Sequence, residues 1–270
     1  MRLKVKVPGS CGELVQGIYH GEPILITCPI NKFSTCEVSD DFFEIEGLGE
    51  KSLQMLEKML DFLQVERNFG IKLTSELPKA KGMASSSADL AAVATAVARF
   101  CGVRLLSSSK IAELAAQIEP TDGVFYSGIA AMNPITGEYI KMSGGLGQFT
   151  IAIFDYGGEI ETLKFNKRSD FEIEELTYPL SFDLVEKSAL ANQKILYKPH
   201  LEDIINFAKN NAGAAGVNVA HSGTVIGIFF HKKSSHIDKR IKEIQKRFDF
   251  IKFLTKTKFI GGGCISWEVY

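Results

Sequence analysis

A turn of small residues, Pro78-Lys79-Ala80-Lys81-Gly82-Met83-Ala84-Ser85-Ser86-Ser87-Ala88, runs without a break into the alanine-rich stretch Asp89 to Ala98. Alanine is the strongest helix former, so the second stretch reads as a helix and the first as its entry. A helix start leaves backbone N–H groups without acceptors and carries the positive end of the helix dipole. Serines and other small residues there let an anion approach the backbone. The chain is therefore expected to hold a phosphate-bearing ligand at this point.

The rest of the sequence narrows what that ligand accompanies. A chain of 270 residues exceeds the usual size of one domain, so two domains or one two-lobed unit are expected. Its 31 basic and 32 acidic residues leave a net charge of −1, which removes any global attraction for nucleic acid or an anionic membrane and points to a small partner. Cys11, Cys28, Cys36, Cys101 and Cys264 are scattered without a C-x-x-C pair, so neither a disulfide framework nor a zinc knuckle is expected. Residues 1–7 alternate apolar and basic, and no run approaches the ~20 apolar residues of a spanning helix. A cytoplasmic location is expected, with a homodimer left open.

Periodicity supplies the coarse elements. Leu3, Val5 and Val7 share one face of a strand expected to end at Pro8-Gly9, and Phe69, Ile71 and Leu73 mark a strand that leads into the phosphate turn. Between them Leu53, Leu56, Met59, Leu60 and Leu63 recur at helical spacing. Ser107 to Ser109 cap a helix burying Ile111, Leu114, Ala115 and Ile118, which stops before Pro120. Strands near 129–132 and 139–142 flank the turn Pro134 to Gly137. Glycine-dense Ser143 to Gly147 sets the expected lobe boundary near 147. Beyond it a βαβ-like series follows: strands 149–154, 216–220, 224–230 and the alternation Ile265, Trp267, Val269, with helices 184–196, 202–211 and 236–248. The basic run Lys239 to Arg247 lies on the polar face of the last helix and reads as solvated surface.

No Walker or G-x-G-x-x-G run competes with the turn at 78–88. Pro-x-x-x-Gly-hydrophobic-small-Ser-Ser-small-Ala resembles the phosphate loop of the GHMP kinases, although the family usually has glycine where this chain has Ala84. Val7 to Leu14 is similar to the family's first motif, and Gly213 to Thr224 to its third, a glycine-bearing loop that approaches the nucleotide. Pro8 to Gly17, Cys28-Pro29-Ile30-Asn31 and Glu119-Pro120-Thr121-Asp122 resemble the L-threonine kinases of the cobalamin pathway within that family.

The resemblance implies an α+β, two-lobed GHMP kinase fold. Residues 1–147 would form a ribosomal protein S5 domain 2-like lobe with the phosphate loop, and 148–270 a ferredoxin-like α/β-sandwich. It implies ATP and Mg²⁺ as cofactors and L-threonine as the acceptor of the γ-phosphoryl group. Pro78, Lys81, Gly82, Met83, Ala84, Ser85, Ser86, Ser87, Ala88, Ser222 and Gly223 would hold the nucleotide, and Ser86 and Glu119 the metal. Asp122 follows as the acid that takes the proton of the acceptor hydroxyl. Many family members have Lys or Arg where this chain has Ser10, so a basic activator does not carry over to that position. Glu13 and Asn31 are candidates for the ammonium of an amino acid, with a structural hydrogen-bonding role as the alternative; His221, Asn192 and Gln193 are further candidate contacts. Homoserine, serine or another small alcohol as acceptor, and a non-catalytic nucleotide sensor, remain the alternative readings.

Overall fold

β1 (Arg2–Tyr19) and β2 (Glu22–Ser39) form one long antiparallel hairpin that turns at His20 and Gly21. The computed structural model describes residues 1–143, 147–159, 169–176 and 179–268. Most of Ser143 to Gly147, and Val269, therefore lie outside the described residues. β2 pairs on its other side with β4 (Gly70–Ser75), which carries the short parallel β3 (Ile45–Glu46) at the edge. β5 (Ile129–Met132) joins β2 and pairs with β6 (Tyr139–Ser143) around the expected turn.

The chain's second half is a second set of antiparallel strands: β7 (Phe149–Asp155), β8 (Gly216–Val219), β9 (Val225–His231) and β10 (Lys252–Lys258). They run in the order β10-β7-β9-β8 and meet the first half at β1, so the βαβ-like alternation in sequence is realised through antiparallel pairs. β11 (Ile265–Glu268) returns to β1 near its start. The α+β architecture is the one expected.

β1 and β8 are paired through Glu13 and Val219. Around that junction β1 is irregular. Its register slips at Pro8/Ser10, Ser10/Glu13 and Glu13/Val15, and Gly12 adopts φ +61 with Ala220 pressed against it. The strand does not end at Pro8-Gly9 as its proline and glycine suggested. It continues through bulges, which re-aim side chains where a regular strand cannot.

α1 (Glu50–Leu63), α2 (Ser85–Phe100) and α3 (Ser108–Ala116) pack together, with α2 lying on β1 and β2. Ser107 caps α3 by accepting the Lys110 N–H at 3.1 Å. α2 is buried on all sides from Ser87 to Ala98, apart from half-buried Asp89, and its alanines let the sheet and both helices approach closely. On α1 the inward set is Ser52, Met55, Leu56 and Met59, whereas Leu53 faces out, because the helix meets its neighbours along a face rotated from the plain leucine stripe. α4 (Phe182–Ala191) ends at a 3-10 turn over Asn192–Lys194, earlier than the expected 196; α5 (Leu201–Asn210) and α6 (Ile237–Arg247) complete the fold.

Candidate active site

The phosphate turn is built from backbone. Ala80, Gly82 and Ala84 have φ of 58°, 77° and 52°, so left-handed residues alternate with others immediately before α2. Such alternation turns successive N–H groups towards one concave side, a nest for an anion. No side chain caps the helix start at Ala84, which leaves its first N–H groups to a ligand. Ser85 and Ser86 are half-buried there. Met83 and Ala88 are buried and offer the site only their backbone, while Pro78 is exposed. Ala84 carries the left-handed conformation that glycine would adopt at no steric cost.

Two distant segments close on this turn. The Ser10 N–H donates to the Met83 carbonyl at 3.0 Å, and the Thr224 N–H to the Lys81 carbonyl at 3.1 Å. Gly82 and Gly223 touch backbone to backbone: a Cβ on Gly223 would lie 2.5 Å from the Gly82 nitrogen, and one on Gly82 would lie 2.5 Å from Ala220 Cβ. Half-buried Ser222 lies in the same turn as Gly223. The three glycine-bearing segments read from the sequence thus meet in one place. Lys81 pairs with Asp155 at 2.8 Å and donates to the Gly158 carbonyl at 2.5 Å. Its ammonium and the Asp155 carboxylate, held below the usual carboxylate range by Lys81, Thr224 and the Gly157 N–H against the opposing effect of burial, form a fixed wall beside the loop.

Asp122 is tied to the same helix start. Its N–H donates to Ser87 Oγ at 3.0 Å, the Thr121 hydroxyl lies 3.1 Å from that oxygen, and the Gly123 N–H donates to Thr27. Ser87, expected among the nucleotide contacts, commits its hydroxyl to this loop. Burial, and then the charges of Glu13 and Glu119, push the Asp122 carboxyl up to about 8. A carboxyl held in this way gains and loses its proton close to neutral pH instead of at about pH 4.

Glu119 is 4% exposed. One of its oxygens pairs with Lys51 of α1, and the other, Oε1, is buried without a hydrogen-bond partner. An orphaned carboxylate oxygen fits a hard cation, so Glu119 suits Mg²⁺, with the half-buried Ser86 hydroxyl as the second expected donor. Among the described residues no cluster of three His, Cys, Asp or Glu could hold a metal.

Glu13 is buried, and its Oε2 accepts from the His221 N–H at 2.7 Å and lies 3.3 Å from His221 Nδ1. His221 is buried beside Glu13, and Asn192 donates to the His221 carbonyl at 3.2 Å. Gln193 instead brackets Lys198 through that residue's backbone. Asn31 is exposed on β2 and makes no side-chain hydrogen bond among the described residues, so the structure does not join it to Glu13. Sequence reasoning missed Lys198. It is 2% exposed, donates to the Ala220 carbonyl at 2.8 Å, and burial lowers its ammonium to about 8 against the opposing pull of Glu13. It also missed Asp155 and Lys51, whose roles come from partners 74 and 68 positions away and leave no local signal.

Residues 50–131 match the GHMP kinases N terminal domain. The chain is 26% identical over 254 residues to an L-threonine kinase of Citrobacter freundii, covering 86% of this chain and 87% of the relative. It is 27% identical to an L-threonine kinase of Salmonella typhimurium, covering 85% and 83%. Among solved structures it is similar to homoserine kinase from Cytophaga hutchinsonii, with a TM-score of 0.65 and 17% identity over 98% of this chain and 97% of that one. It is also similar to the mevalonate kinase of Methanococcus jannaschii, with a TM-score of 0.62 and 18% identity over 96% and 98%.

Proposed function

We propose that this chain, which carries a GHMP kinase N-terminal domain and is a phosphotransferase acting on an alcohol group, transfers the γ-phosphoryl group of ATP to the side-chain hydroxyl of L-threonine. The products are O-phospho-L-threonine and ADP. The observation that carries this reading is the convergence on one helix start of the nest at 80–84, the Gly82–Gly223 contact and the Ser87–Asp122 hydrogen bond. That convergence supports a reading in which donor and acceptor chemistry share one point.

In this reading the backbone of residues 80–88 and the Ser222-Gly223 turn hold the triphosphate, with the Lys81–Asp155 pair fixing the loop. Ser86 and Glu119 hold Mg²⁺, which when bound neutralises charge on the phosphate oxygens. Asp122 takes the hydroxyl proton as the new P–O bond forms. Glu13, with one oxygen pinned by His221 and the other without a hydrogen bond among the described residues, meets the substrate ammonium. The lobes divide near residue 147, the first carrying the phosphate loop and the second closing over it.

Relatives that act on threonine favour it over homoserine or serine. A coupled ADP-release assay with threonine, homoserine, serine and 3-hydroxybutyrate decides the acceptor. Threonine is expected to give the highest kcat/KM, and 3-hydroxybutyrate, lacking the ammonium, the lowest. Homoserine ranking above threonine would reassign the acceptor, and ATP binding without transfer to any alcohol would favour a nucleotide sensor.

A further inference from the structure

Behind Glu13 lies a buried chain of polar groups that reaches α4. The Gln16 N–H donates to Ser188 Oγ at 2.9 Å, Ser188 Oγ lies 3.1 Å from His221 Nε2, and His221 Nδ1 lies 3.3 Å from Glu13 Oε2. Ser188 and His221 are 0% and 1% exposed. The backbone on each side of the ring is also held: Lys198 donates to the Ala220 carbonyl and Asn192 to the His221 carbonyl. The sequence resembles the order of a serine nucleophile, a base and an acid. Full burial of Ser188, with its oxygen already accepting a backbone N–H, rules out attack on a substrate.

The direction of the bond to Glu13 can be assigned. Ser188 has one hydroxyl proton and two acceptors in reach, His221 Nε2 and the Gln16 carbonyl at 3.2 Å. Glu13 Oε2 already accepts the His221 backbone N–H, and an accepting oxygen offers the ring only lone pairs, so the ring nitrogen facing it carries a hydrogen. With Nδ1 protonated, Nε2 accepts from the Ser188 hydroxyl, or donates to Ser188 Oγ where that hydroxyl bonds the Gln16 carbonyl. The fixed points are the Gln16 N–H donating to Ser188 at one end and the His221 Nδ1–H facing Glu13 at the other. Both ends of this chain are anchored on β1, at Gln16 and at Glu13 three residues earlier.

We propose that His221 is a positioning residue for the acceptor, its ring held by Ser188 so that Glu13 presents its free oxygen to the substrate ammonium. This rests on the reading of Glu13 as the ammonium's partner. The backbone N–H of His221 binds Glu13 Oε2 in any variant, so the ring supplies the second contact that fixes the carboxylate's rotation. Acceptor selectivity is then set partly from α4, on the far side of the residue that meets the substrate.

Two substitutions separate the ends of the ring. In H221N the side-chain amide nitrogen takes the place of Nδ1 and keeps the Glu13 contact; in H221Q it takes the place of Nε2 and keeps only the Ser188 contact. H221Q is expected to raise KM for threonine roughly tenfold, with KM for ATP unchanged and a smaller preference for threonine over 3-hydroxybutyrate. H221N is expected to restore most of the threonine KM. Equal effects of both, or a loss shared equally with ATP, would overturn the positioning role. Nitrogen-15 NMR of histidine-labelled wild-type protein gives a check that does not depend on any variant folding. Nδ1 protonated supports the ring's contact with Glu13, and Nδ1 bare overturns it. Wild-type protein that phosphorylates other alcohols but not threonine would refute the acceptor assignment while leaving the NMR test of the relay standing.

Discussion

The proposed phosphate side and the proposed acceptor side of this site are made of different material. On the phosphate side the binding surface is backbone: left-handed residues at 80, 82 and 84, an uncapped helix start, and the glycine contact between 82 and 223. On the acceptor side it is side chain: Asp122, Glu13 and His221, supported by Ser188 and Lys198 from the second half of the molecule. A backbone nest is encoded by neighbours in sequence. A side-chain cluster is encoded by topology, here by the single junction of β1 with β8 at Glu13 and Val219.

The contrast is sharpest at Asp122. Asp122→Asn is expected to lower kcat by ~10²-fold or more while KM for ATP changes little, as measured by steady-state kinetics. The same substitution should stabilise the nucleotide-free fold. With its carboxyl raised to about 8, folded Asp122 keeps a proton that the unfolded chain loses above ~4. Asp122 therefore opposes folding increasingly as pH rises across that window. The gain in Tm of Asp122→Asn should grow between about pH 5 and pH 8, and a constant gain would remove the buried-charge account.

Gly223→Ala tests the phosphate side. Its Cβ would press on Lys81 and Gly82 backbone, so the loop must shift. KM for ATP should rise ~10-fold or more with a smaller effect on threonine. Equal losses for both substrates would show that the two sides are not separable. Lys198 gives a smaller, pH-dependent effect. Its folded-state ammonium is lowered to about 8 against ~10.4 for a free lysine, so between those values the unfolded chain holds the proton that the folded chain has released. This lysine therefore adds stability as pH rises through that window. Denaturant titrations of wild type and Lys198→Met should diverge in favour of wild type between about pH 8 and pH 10; parallel curves would contradict the burial of a titrating ammonium. Ala84→Gly is the mildest test. Relief of the left-handed alanine should stabilise the fold by up to ~1 kcal/mol without weakening ATP binding.

Legibility followed the same division. The turn at 78–88, the helix behind it, the cap at Ser107 and the hairpin at 129–143 could be read because each depends on spacing within a few residues. β2 was not read as a strand. Cys28-Pro29 interrupts it, and its pairing with β1 is set by a hairpin whose partner runs on past Pro8-Gly9. β10 carries polar residues on both faces, since it lies at the sheet edge and is mostly exposed, so it has no alternation to detect. Glu13 and His221 were singled out separately, but their contact spans 208 positions. Nothing in the sequence around Lys198 marks it out, and only the fold shows that it is buried.

The account depends on the backbone amides before α2 gripping the phosphates of a nucleotide. Titrating ATP with Mg²⁺ into nitrogen-15 labelled protein and following each amide tests this directly. The largest shifts are expected at Gly82 to Ala88 and at Ser222-Gly223, with Asn31 unmoved. Saturable binding that leaves those amides in place would contradict the account.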